Sequence, residues 1–158
     1  MELISSGFAL IGLVFLGILL TISILFLITQ QNTFKAISPE NRLMPPGNVW
    51  LQLIPLFNFY WVFVVVNKLS ESISLEYSRL NIPDSEQYPT RGIGLTTAIV
   101  YFVALIPVEL IKGLASLAWM VCFIIYWVKI YQCKNKIIAN RGNDLLDIER
   151  ELLKKETL

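Results

Sequence analysis

Histidine is absent from this chain of 158 residues. Its absence removes a histidine-held haem, a Ser–His nucleophile pair and any histidine-bearing zinc site. Cysteine is almost absent, with only Cys122 and Cys133. On one expected helix they share a face but stand about 16 Å apart, beyond disulfide reach. Charge is also scarce, at 16% of residues against about 25% in soluble domains. The 13 basic and 12 acidic residues nearly cancel, so the chain lacks the field that would bind nucleic acid. Glu40, Glu71, Glu76 and Glu109 are scattered, without the spacing of paired catalytic carboxylates. P-loop and dinucleotide-binding glycine patterns are missing too. The sequence therefore points away from an enzyme, and no cofactor or metal is expected.

What remains is apolar. Hydrophobic residues make up 55% of the chain, and mean hydropathy is +0.61. No ionisable acid or base interrupts residues 3–34, 43–67, 92–108 or 113–128. A bilayer core about 30 Å thick needs about 20 apolar residues in a helix. These runs predict spans over about 7–28, 49–66, 94–111 and 114–131. The last two meet in a turn at Lys112–Gly113, and both cross fully instead of forming a re-entrant hairpin. The expected fold is an all-α polytopic membrane protein with four transmembrane helices in two hairpins. Residues 1–142 form that domain, and 143–158 form a cytoplasmic amphipathic tail helix. The first span has no basic leader and no small-residue cleavage pattern after it, so it reads as a retained anchor.

Basic residues set the expected orientation. Lys35, Arg42 and Lys112 fall in the loops of one face, and the other ten cations fall on the opposite face. The positive-inside rule then puts both termini in the cytoplasm. Lys129, Lys134, Lys136 and Arg141 form a basic collar suited to anionic lipid headgroups.

Helices 2 and 4 are expected to outlast the bilayer. Asn48, following Pro45-Pro46-Gly47, reads as the N-cap of a helix that continues to Pro83. Its inner part carries an apolar stripe of Leu69, Ile73, Tyr77 and Leu80. Helix 4 is expected to stop at Gly142 as a C′ residue. A tail helix follows, capped by Asn143 or Asp144, with Leu145 and Leu152 on its apolar edge and a Glu151–Lys155 pair.

Polar side chains at membrane depth face protein or water. Gln52, Asn58, Trp61, Thr97 and Tyr101 are the candidate intramembrane contacts. Trp50 and Trp119 are placed toward the outer interface. Gly17–Thr21, Gly94–Ala98 and Ala118–Cys122 are small-xxx-small pairs that let helices approach closely.

Asn41-Arg42-Leu43-Met44-Pro45-Pro46-Gly47-Asn48-Val49-Trp50-Leu51, then Ile54-Pro55-Leu56-Phe57-Asn58 and Trp61-Val62-Phe63, resemble a pattern in small Bacteroidota-like membrane proteins. Ile125-Tyr126-Trp127-Val128-Lys129-Ile130 resembles the same group. The resemblance covers roughly residues 40–140. It implies a bacterial inner-membrane protein with four spans and carries no activity to transfer.

The leading functional expectation is a non-enzymatic accessory or scaffold subunit of an inner-membrane complex. Its expected partners are the lipid bilayer and other membrane subunits or further copies of itself. The alternative is a small oligomeric channel or transporter with a polar path near Asn58.

Overall fold

The computed structural model describes residues 2–156. Side chains at 2–9, 144–145, 147–149, 151 and 154–156 lie outside the described set, and with them the expected Leu145 edge and Glu151–Lys155 pair. All regular structure among the described residues is helical. Four α-helices follow in order: α1, Glu2–Ala36; α2, Asn58–Arg79; α3, Arg91–Ala104; and α4, Glu109–Glu156. Short 3-10 helices at Pro39–Asn41 and Pro46–Leu53 lie between α1 and α2.

Side-chain contacts give the helix directions. Phe26 of α1 packs on Phe123, Tyr126 and Trp127 of α4. Further along, Arg141 of α4 donates to Ser38, just beyond α1. The two helices therefore run in the same direction. α2 shares it, because its last turn brings Glu76 to Ser38 at 2.9 Å. α3 runs the other way. Its C-terminal Phe102 stacks on Phe59 and Phe63, while Pro89 before it accepts a bond from Ser70.

Since α1 and α2 point the same way, the chain between them must turn back. Residues 46–53 make that return alongside α1. Trp50 Nε1 donates to Gln31 Oε1 at 3.2 Å, and Gln52 Nε2 donates to Gln30 Oε1 at 2.7 Å. Pro45, Pro46 and Pro55 lack the N–H that an α-helix needs. Asn48 therefore does not open a long helix. A 3-10 helix runs to Leu53, and the chain turns at Leu56, whose φ is +64°. The expected span over 49–66 is thus two pieces, and α2 starts nine residues later than the cap at Asn48 predicted.

Two other boundaries also move. The turn before α4 lies at 105–108, where Pro107 interrupts the helix, and Lys112–Gly113 sits inside α4. Gly142 does not stop α4, which continues as one helix through Glu156. A separate tail helix beginning at 143 is therefore not seen.

α2 ends in a Schellman motif. Ile82 N bonds Tyr77 O at 2.9 Å around Asn81, which takes the left-handed conformation at φ +51°.

The expected stripe on α2 is real. Leu69, Ile73 and Tyr77 are buried, and Leu80 packs partly buried against them. They meet Phe34 and Ile37 from the end of α1, and Tyr126, Ile130, Cys133 and Ile137 of α4. The last four repeat at steps of four, three and four, the seam spacing of packed helices. This dense core lies toward the end where Lys35, Arg79 and Arg141 gather. We call it the charged end.

Lys35 and Arg42 were expected on the face opposite the tail. The Ser38–Arg141 bond puts their loop and α4's distal half at one end. The opposite end is looser. Leu10, Ile11, Leu13, Val14, Phe15 and Leu16 of α1 are all exposed, on every side of the helix.

Two stretches, Leu10–Ala36 and Glu109–Asn143, are long and apolar enough to cross a membrane. α3 is apolar but shorter.

Candidate functional site

The local backbone brings together residues that are far apart in sequence. The return at 46–57 sets Gln52 and Asn58 beside α1. The turn at 105–108 folds α3 back on α4, so Tyr101 meets Trp119 with ring centroids 6.0 Å apart. Between these elements lies a cavity of about 390 Å³. Four of the five polar residues singled out from sequence line it: Gln52, Asn58, Thr97 and Tyr101. Trp61 does not. Its indole N–H donates to Asn48 O at 2.8 Å, and its ring stacks on Phe57.

The rest of the wall is aromatic and aliphatic, including Phe26, Phe102, Trp119, Phe123 and Tyr126. Trp119, expected at an outer interface, belongs to this wall, and Trp50, expected there too, is tied to Gln31. No Asp, Glu, Lys or Arg lines the cavity.

Not every polar group in the wall is available. Ser23 and Thr97 donate to their own helix at Leu19 O and Ile93 O. The Gln52 amide is held by Gln30 and by Val49 O. The side-chain groups of Asn58, Tyr101 and Trp119 make no hydrogen bond among the described residues. Tyr126 is buried, and its hydroxyl has no partner; Gln30 is a polar neighbour, but the two form no bond of adequate geometry.

The floor of the cavity depends on Gly94. A Cβ there would meet Val66 Cγ1 at 2.7 Å and Tyr126 Cε2 at 2.9 Å. The Gly94–Ala98 pair is therefore used for close packing inside the chain. Gly17 has open space around it, and its partner Thr21 is exposed.

A second polar constellation lies at the charged end, and sequence reading missed it. Glu76 is fully buried, at 0% exposure. It accepts hydrogen bonds from Ser38 Oγ, Asn41 Nδ2 and the guanidinium groups of Arg79 and Arg141, all between 2.8 and 2.9 Å. Burial pushes its carboxyl pKa up. The bonds from Arg79, Asn41, Arg141 and Ser38 outweigh that and hold it at about 2, against an ordinary 4.5. Nearby, burial pushes the Tyr77 phenol above its usual range. The Glu76 set closes on itself, so it fastens three elements and exposes no reactive carboxylate. In sequence Glu76 interrupted an apolar stripe only by standing next to Tyr77, and Arg141 lay 65 residues away.

Three of the four collar cations are already engaged. Lys129 pairs with Glu86, Lys136 with Asp84 at 3.6 Å, and Arg141 with Glu76. Lys134 lies over the Tyr131 ring at 4.5 Å. The loop before α3 thus neutralises part of the basic collar. Among the described residues, no cluster of Cys, Asp and Glu is suited to a metal.

Compared with known families, curated proteins and solved structures, the chain gives no match. What can be stated is an all-helical chain with two helices able to cross a membrane by length and composition.

Proposed function

We propose that this chain is a non-enzymatic accessory or scaffold subunit of a bacterial inner-membrane assembly. The observation that carries the reading is the unused half of α1. Its described apolar side chains are exposed on all sides, and Gly17–Thr21 offers a small-residue face that none of the described residues fills. In lipid, such faces serve close helix–helix contact.

The proposed embedding has α1 and α4 crossing in one direction and α3 crossing back. Residues 46–57 dip in from the charged end and return through α2, so this region is re-entrant and not a fourth full span. Twelve of the 13 cations then lie at or beyond the charged end, with only Lys112 at the other. The positive-inside rule puts the charged end in the cytoplasm. The N-terminal end of α1 then faces outward and the distal part of α4 inward.

Gentle extraction from native membranes tests the subunit reading. Stoichiometric partners should co-purify, and Gly17→Leu should release them while leaving thermal stability unchanged. A monodisperse monomer without companions would overturn it.

The channel or transporter reading has one observation in its favour, the convergence of Gln52, Asn58, Thr97 and Tyr101 on one cavity. Solute flux in liposomes that Asn58→Leu abolishes would support it.

A further inference from the structure

The cavity between α1, α3 and α4 carries an inference beyond the subunit reading and independent of it. Its wall has no ionisable acid or base, so a ligand with a charged head would lose its hydration without compensation. Each of its unspent polar groups can donate. The Tyr101 hydroxyl and the Trp119 indole N–H each have a proton to give, and the Asn58 amide has two. The neighbouring hydroxyls of Ser23 and Thr97 are committed to backbone carbonyls. A head that accepts hydrogen bonds and carries no charge therefore fits these groups.

The walls restrict its shape. Trp119 and Phe123, one turn apart on α4, stack on each other with ring planes 23° apart, and Phe26 and Phe102 add further rings to the wall. Such surfaces favour a flat conjugated ring over a flexible ester head. The rim includes Leu19, Ile22, Leu53 and Phe59, all exposed apolar side chains. Access is therefore from the hydrocarbon side and suits a ligand with an apolar tail. A volume of about 390 Å³ falls in the range of small-molecule sites.

We propose that this cavity binds a neutral lipid-soluble quinone, its ring against the aromatic wall and its carbonyl oxygens on the Asn58 and Tyr101 donors. The proposal concerns binding and includes no redox step.

The test uses the full chain in nanodiscs of phosphatidylcholine alone, titrated with decylubiquinone and followed by tryptophan emission. The expected result is saturable one-to-one quenching above that of free partitioning. Asn58→Leu removes donors from a half-buried side chain that has no internal partner, so folding should persist. It should weaken binding roughly tenfold. Ala98→Leu fills the cavity from the α3 side and should abolish saturation, with thermal unfolding showing that the variant is folded. Dioleoylglycerol, a neutral ester lipid, should compete poorly. Quenching that rises linearly without saturation would overturn the proposal. So would equal competition by dioleoylglycerol, or unchanged affinity in Asn58→Leu.

Discussion

Glu76 is a carboxylate placed where water does not reach, and its charge survives because four side chains donate to it. Its folded-state pKa lies below its unfolded value. Its contribution to stability is therefore complete above about pH 5 and is lost as pH falls toward 2. The depression corresponds to about 3 kcal/mol. Melting of the detergent-solubilised protein from pH 7 to pH 2.5 should show a steep loss through that window. Glu76→Gln should start lower by about 3 kcal/mol, because Arg79 and Arg141 lose their counter-charge, and should be flatter across the same window. Ser38→Ala removes two bonds of the set, one donated to Glu76 and one accepted from Arg141, and should cost about 1–3 kcal/mol. None of this could be read from the sequence. A glutamate beside an apolar stripe looks like the solvent side of a helix until Ser38 and Arg141 are known to be its neighbours.

Among the elements, proline and glycine behaved differently from one another. Pro45 and Pro46 were legible as breakers, and the backbone does break there; Pro55 was read inside a continuing helix, and the helix begins only after it, at Asn58. The sequence did not show that residues 46–53 would hold a 3-10 path back along α1. That depends on Gln30 and Gln31 meeting Gln52 and Trp50, contacts that no local pattern encodes. Gly142 looked like a stop. It sits in a continuous helix with open space around it and no positive φ. Gly142→Ala should therefore stabilise by about 0.5–1 kcal/mol, read as a raised melting temperature, whereas a helix-ending glycine would lose stability on the same change. Gly94→Ala should do the opposite. Its new methyl meets Val66 and Tyr126, and overpacking of this kind costs about 1–3 kcal/mol. At Leu56, an exposed residue at positive φ, Leu56→Gly should be neutral or stabilising in the same assay.

For the whole molecule, the composition reading of a helical, membrane-suited chain agrees with the two helices long and apolar enough to cross. The end at which each loop lies did not follow, because counting charges loop by loop took residues 49–66 as one continuous helix. The chain between α1 and α2 turns back beside α1, so the loop bearing Lys35 and Arg42 rejoins α4's basic half. Single cysteines introduced into a cysteine-free variant should report this. Lys35→Cys and Lys134→Cys should react with a membrane-impermeant maleimide from the same side of sealed vesicles, and Lys112→Cys from the other. Four of the five polar candidates converged on one cavity, Thr97 and Tyr101 from α3, and Gln52 and Asn58 through the return at 46–57 that spacing did not show. The ring walls around them come from the α3–α4 turn, which was expected several residues later.

The bond between Ser38 and Arg141 joins residues 103 positions apart. Synthesis runs from the N-terminus, so Glu76 is made and placed well before Arg141 exists. Until then its carboxylate has Arg79 beside it but lacks the second guanidinium. The early part of the protein therefore carries an incomplete charge set that only the last helix closes. A chain interrupted before residue 141 would leave that set open, giving a cell's quality control a physical difference between a finished molecule and an abandoned one.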